Sequence, residues 1–291
     1  MIWIDEEAQN NWTHSESTGK RGAPQQYSNT AIETCLIFKS LYHLSLRATE
    51  GFVVSLLSVM HLALPTPDFS TLSLRATDLA VDIRTRTDKD NTDETLHIVV
   101  DSSGAKVYGE GEWKVRMHGW SKHRTWRKFH LAIDEKTKRI KAASMTGNDT
   151  ADSAMLETLL KQIPNPIDQV DADGAYDKRV CYKILDELGI VAGIPPQENA
   201  KIWQHGNSNS PPLARDENLR RIREVGRKQW KEEIGYHRRS IAENGMFRFK
   251  AIFGSSLSAR NFNTQQTEVL VKCKILNRLT DLGMPQTEVV A

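Results

Sequence analysis

Three carboxylates (Asp101, Asp173 and Glu243) and the set Tyr236, Arg239, Glu243 and Lys250 have types and spacing suited to chemistry. On a helix of 3.6 residues per turn, the second set falls at rotations of 0°, about 300°, about 340° and about 320°. One helical stripe therefore carries all four. A carboxylate flanked by two cations and a phenol suits an anionic substrate and a metal-dependent reaction. The same spacing also describes a solvated helix with ordinary Arg–Glu pairs at i, i+4. The rest of the chain decides between the two.

The two aspartates decide it. A strand predicted over 96–101 ends on Asp101, and one over 169–173 ends on Asp173. In open α/β sheets, ligands bind beyond the carboxyl ends of the strands. Adjacent strands would bring Asp101 and Asp173 to one edge, and a helix across that edge would deliver Glu243. Clustered carboxylates repel one another unless a hard cation neutralises them, and oxygen-only ligands suit Mg²⁺ or Mn²⁺. Two such ions, roughly 3.5–4 Å apart, activate a nucleophile and stabilise a leaving oxygen in phosphodiester displacement. Each aspartate alone also reads as a turn former or helix cap. Asp171, on the same strand face but deeper, and Asp177, read as a first-turn anion of the next helix, are the competitors of Asp173. Ser102 and Ser103 have no base nearby in sequence. Gly109 to Gly111 matches no phosphate loop, and the histidines lack zinc-ligand spacing.

The elements that must position these residues fall into two groups. Residues 1–27 read as a polar arm. Ser28 caps a helix bearing Ala31, Cys35 and Phe38; Ser45 caps a second; a third, over 70–79, carries Arg75. Three short helices with tight turns match a helix-turn-helix pattern, or a generic bundle that only packs on the next domain. The charged run 84–94 reads as a linker, which places an N-terminal arm and helical DNA-binding domain at 1–92. Then come a strand at 96–101, a short one at 112–116, a hairpin at 125–134 and 139–146, and a helix at 150–162. A strand at 169–173, a helix at 176–188 and a strand at 189–194 come next. An insertion at about 197–231 holds Trp203 and Trp230, read either as base-stacking rings or as a small core of its own. Helices at 236–253 and 266–279 close the chain. That order predicts an α/β fold for 93–291: a ribonuclease-H-like core with a mixed sheet flanked by helices.

Composition is that of an ordinary globular chain: 291 residues, 39% hydrophobic, 26% charged, net charge +2. Bulk charge is therefore uninformative, but 104–141 holds eleven Lys or Arg against four Asp or Glu, with His118, His123 and His130. Such a basic stretch suits a phosphate-facing surface, or a solvated hairpin face. Three scattered cysteines form no metal or disulfide framework and fit a reducing cytosol. No run approaches the ~18 apolar residues of a membrane span, and the first residues lack the pattern of a secretory signal.

The segments DSSGAKVYGEGEW at 101–113, WRKFHLAID at 126–134 and DGAYD at 173–177, with Tyr236, Arg239, Glu243 and Lys250, resemble a known family. The chain is similar to bacterial insertion-sequence transposases of the DDE class, within insertion sequence family five and its insertion sequence 903-like subgroup. The resemblance covers nearly the whole chain. It implies that Asp101, Asp173 and Glu243 are the catalytic and metal-binding triad, on a ribonuclease-H-like core. It implies terminal inverted repeats and target DNA as partners, with Tyr236, Arg239 and Lys250 toward DNA phosphates. A homo-oligomer, at least a dimer, on DNA and a bacterial cytoplasm are implied by the same resemblance. Members often carry a longer N-terminal arm, so the resemblance also implies a late start here. The alternatives are an inactive or domesticated DNA-binding derivative, and a ribonuclease-H-like nuclease that cuts without joining.

Overall fold

A computed structural model describes residues 6–13, 25–85, 88–89, 91–107, 126–204 and 212–283. The expected strand at 112–116, most of the basic stretch and parts of the arm and insertion lie outside the described residues.

Alternation of apolar positions along the first strand sets up the whole sheet. Strand β1 (Leu96–Val107) turns Leu96, Ile98 and Val100 to one side and Val99, Asp101, Ser103 and Ala105 to the other. Strands β2 (Trp126–Asp134) and β3 (Ile140–Gly147) form an antiparallel hairpin beside it. Strand β4 (Ile167–Asp171) lies parallel to β1 on its other edge, and β5 (Val191–Gly193) lies parallel to β4. The order is β3-β2-β1-β4-β5, a mixed sheet of ribonuclease-H-like topology. A two-residue strand β6 (Ser256–Leu257) pairs with β1 at Lys106 and Val107. On that edge β4 covers β1 only to Val99. Asp101 therefore lies where β1 has lost β4 and has not yet met β6.

One sheet face packs against α5 (Leu156–Leu160), entered through a 3-10 turn at Asp152–Met155, and against α6 (Arg179–Glu187). The other packs against α8 (Ser240–Phe253) and α9 (Phe262–Asp281). The N-terminal helices belong to that second face. Helices α2 (Asn29–Leu41), α3 (Leu46–Val59) and α4 (Phe69–Arg75) begin at the expected caps Ser28 and Ser45 and at Asp68. Their buried Ile32, Cys35, Val53 and Leu72 share one continuous core with Phe129, Leu131, Met246 and Phe249. Arg75 donates to the Tyr27 carbonyl at 2.7 Å and to Asn29 at 2.6 Å, so its guanidinium fastens this bundle. Part of the arm is ordered by the same core: after the short α1 (Glu6–Asn10), Trp12 is buried and donates to the Pro65 carbonyl at 2.7 Å.

Several expectations shift for identifiable reasons. Within the charged run expected as a linker, Asp88 is buried and accepts Lys141 Nζ at 2.6 Å. Asp101 does not end β1; pairing with β2 carries the strand on to Val107. Strand β4 stops at Asp171, and Asp173 instead caps a 3-10 turn, Gly174–Tyr176, through the Ala175 N–H. Asp177 precedes α6 rather than lying in its first turn, and is buried against Arg215. Most of the insertion's described residues belong to one helix, α7 (Ala214–Glu233). Trp230 is buried, and the Trp203 ring is covered by the Arg215 guanidinium at 3.6 Å. Trp203, half-buried, packs against Tyr182 of α6 and the sheet's core rather than in a core of the insertion's own. The three cysteines are buried free thiols.

Candidate active site

Register brings the two aspartates to the same end of the sheet. Val99 of β1 pairs with Asp171 of β4, and Asp101 and Asp173 each lie two residues further along. Asp101 shares the sheet face on which α8 lies. Helix α8 comes close at Gly245, where a Cβ would fall 2.3 Å from Ile133 Cδ1. A glycine inside a helix costs about 1 kcal/mol relative to alanine. Here it lets the backbone of α8 settle on β2, two residues after Glu243.

The stripe carrying Glu243 is not one regular helix. Gly235 is left-handed (φ 68°), Tyr236–Arg239 is a 3-10 turn, and α-helical winding starts only at Ser240. The 100° rotation rule therefore fails for Tyr236. Arg239 and Glu243 still meet, as an i, i+4 ion pair. Lys250 lies about 10 Å further along α8 at 1.5 Å per residue. It does not line the cavity of about 360 Å³ bordered by Tyr236, Arg239, Glu243, Lys228, Lys231 and Glu232.

Electrostatics tie the three carboxylates together. Partial burial pushes the Asp101 carboxyl above its ordinary value, and the charges of Asp173 and Glu243 push it further. The Ser102 N–H, 2.9 Å from Asp101 Oδ1, and the Arg239 charge oppose that shift. Burial likewise raises the Tyr236 phenol, with Asp173, Asp171 and Asp101 adding to it and Arg239 opposing. The competitor Asp171 is fully buried, with Oδ1 accepting Gln169 Nε2 at 2.8 Å and Oδ2 3.0 Å from His97 Nε2. Gly193 closes over it, since a Cβ there would fall 1.8 Å from Oδ1. Asp171 is thus closed off, whereas Asp173 is only half-buried. Asp177 is likewise taken, by Arg215 at 2.7 Å.

Among the described residues, no three His, Cys, Asp or Glu side chains are gathered tightly enough to hold one metal ion. Glu243 is exposed and holds Arg239 instead. The donor set itself fits a hard divalent cation. All of it is carboxylate oxygen, and Asp101 carries a charge that burial and two like charges disfavour.

Lys228 and Lys231 border the cavity at Glu243, which Asp101 and Asp173 do not line, a role their sequence does not announce. Each has glutamates near it in α7, which reads as an ordinary charged helix. Tyr176 is a second unannounced neighbour. It is buried, and its hydroxyl, without a hydrogen-bond partner among the described residues, feels the charges of Asp152, Asp101 and Asp173.

Residues 92–278 match a family model described as a transposase DDE domain, and residues 1–110 match a second model with the same description. Among solved structures, the chain is similar to a piggyBac transposase synaptic complex with hairpin DNA. That match has TM-score 0.43 and 14% identity over 94% of this chain and 72% of the other. It is also similar to the Drosophila P element transposase strand transfer complex, with TM-score 0.31 and 10% identity over 95% and 86% of the two chains.

Proposed function

The chain belongs to the family of transposase DDE domains, which are metal-dependent polynucleotidyl transferases, and from that premise we propose that it is the transposase of a bacterial insertion sequence. It binds the terminal inverted repeats of its element, cuts at their ends and joins the released 3′-hydroxyl to target DNA. The observation that supports this reading is that Asp101 and Asp173 each lie two residues beyond the paired Val99 and Asp171, with Glu243 on the helix over that face and the charges of Asp173 and Glu243 both felt at Asp101.

Asp101, Asp173 and Glu243 would hold Mg²⁺ or Mn²⁺, two ions by the chemistry of the reaction. When bound, such ions supply activation of the attacking oxygen and neutralisation of the leaving one. The protein's own part is placement. Asp101 is held by the Ser102 N–H and Asp173 by the Ala175 N–H, so neither carboxylate swings freely. Arg239 exchanges Glu243 for a phosphate oxygen when DNA arrives, its planar fork suiting two oxygens at once. Lys250, further along α8, meets a neighbouring phosphate as a point charge. Tyr236 borders the same cavity and packs beside the scissile phosphate. At least two copies act on the paired ends, in the bacterial cytoplasm and on the nucleoid.

The test is cleavage and joining in Mg²⁺ or Mn²⁺, on duplexes carrying the inverted repeats that flank the coding segment. Wild type should release and join the ends, and Asp101→Ala and Glu243→Ala should do neither. Either variant cutting and joining at the wild-type rate sinks the assignment. Cutting without joining by wild type leaves a nuclease.

A further inference from the structure

Helix α7 is two helices in one. Gly226 has φ 83° and ψ 156°, outside any right-handed helix, and the chain re-aims there. Before the break Arg220 pairs with Glu217, and Arg221 with Glu224 and Glu233. After it, Lys228 and Lys231 make no ion pair among the described residues, yet both line the cavity beside Glu243. Lys231 Nζ lies 5.1 Å over the Tyr236 ring. Within the cavity Arg239 and Glu243 satisfy each other, which leaves two ammonium groups against the single carboxylate of Glu232. Like charges one helical turn apart repel unless an anion is shared between them. Gly226 is what allows the second half of the helix to present both toward the cavity.

We infer that Lys228 and Lys231, the latter placed by the Tyr236 ring, form a second anion subsite, which takes a DNA backbone phosphate next to the scissile one. The inference rests on the proposed reading of the neighbouring carboxylates. A phosphodiester of the element end and one of the target share this chemistry, so the test has an arm for each.

Binding of an inverted-repeat duplex is measured in chelator across a salt series, and capture of an unrelated duplex is measured with a complex on a pre-cut end. In Lys228→Gln/Lys231→Gln, the plot of log K against log salt should become shallower by about 2, roughly one unit per lysine, in the arm whose phosphate is held. Lys228→Arg/Lys231→Arg should keep the wild-type slope. Arg220→Gln, on the same helix but already paired, should leave it unchanged. A change in the first arm assigns the phosphate to the element end, and in the second to the target. Wild-type slopes in both arms for the glutamine variant overturn the inference while leaving the carboxylate site intact. Wild-type protein that binds neither duplex removes the DNA-processing reading and the subsite with it.

Discussion

Arg215 with Asp177, and Arg239 with Glu243, are the same chemistry in opposite surroundings. The first pair includes the aspartate four residues after Asp173 and is sealed: each side chain is 3% exposed, and Nε–Oδ1 is 2.7 Å. Arg215 also donates to the Lys201 carbonyl at 2.8 Å and to Asp216 at 3.3 Å, and stacks on Trp203. Asp216 in turn accepts the Trp203 and Gln204 N–H groups. In the second pair Arg239 is 22% exposed and Glu243 57%. A sealed pair with its donors filled has nothing to exchange, whereas an open pair can trade either partner. The first fastens the insertion to the loop that carries Asp173, and the second lies where a substrate can replace a partner.

The largest expected effect comes from the seal. Arg215→Ala leaves Asp177 and Asp216 as buried charges without their cation, which should cost about 3–5 kcal/mol. Urea denaturation of this variant beside Arg239→Ala checks it. Equal losses from the two would break the comparison. Arg215→Lys sharpens it, because an ammonium keeps the charge but not the fork that reaches Asp177, Asp216 and the Lys201 carbonyl together.

His130 asks the same question of a sealed group whose nearest counter-charge, Asp152, stands 3.9 Å from Nδ1. It is fully buried, with Nε2 2.9 Å from Thr146 Oγ1 and Nδ1 without a hydrogen bond. Burial pushes its pKa down to about 4, against the opposing charge of Asp152. The unfolded chain takes up this proton below about pH 6.5 and the native protein only near 4. The native advantage is therefore complete above pH 6.5 and is lost as pH falls toward 4, at a slope approaching about 1.4 kcal/mol per pH unit. The difference between wild type and His130→Phe, measured by denaturation from pH 7 to 4, isolates this group. Parallel curves would show that His130 accepts its proton in the fold.

The contrast also explains what the sequence made legible. Strand periodicity located β1 to β4, and the caps Ser28 and Ser45 located two helices, because these signals are local. Asp101 and Asp173 stood out because strand ends in an α/β sheet are where ligands bind, even though β1 runs past Asp101 and β4 stops short of Asp173. The sealed cluster was not legible. Asp177 finds Arg215 across 38 residues of chain, and no periodicity encodes such a meeting. The same holds for Asp88 with Lys141, for Gly245 against Ile133, and for the merging of the N-terminal helices with the sheet's own core. The 3-10 turn before Ser240 was hidden because a helical stripe presumes regular winding, whereas Gly235 resets the chain just ahead of Tyr236.

Asp101 lies between the two extremes, half-buried and facing like charges. Its raised carboxyl means that the native protein holds this proton more tightly than the unfolded chain. The charge thus destabilises the fold at neutral pH, and the penalty fades as pH falls through the raised value toward the ordinary one. Asp101→Asn should raise stability by about 0.5–2 kcal/mol while abolishing strand cleavage. Loss of both stability and cleavage would move Asp101 from the open region to the sealed one.

The smallest effect is the most discriminating. Glu243→Gln should change stability by less than about 1 kcal/mol, since an exposed i, i+4 pair contributes only a few tenths and salt screens it. A double-mutant cycle of Glu243→Gln with Arg239→Ala should therefore return a coupling below about 1 kcal/mol that vanishes in high salt. The cycle of Asp177→Asn with Arg215→Ala should return a larger, salt-insensitive one. Cleavage should fall in the reverse proportion. The Glu243 variant should lose activity with its fold intact, because a partner exchanged during the reaction contributes little to the resting protein. A strong, salt-resistant coupling between Arg239 and Glu243 would make that pair a fastening too, and Glu243 could not then be released to a metal ion.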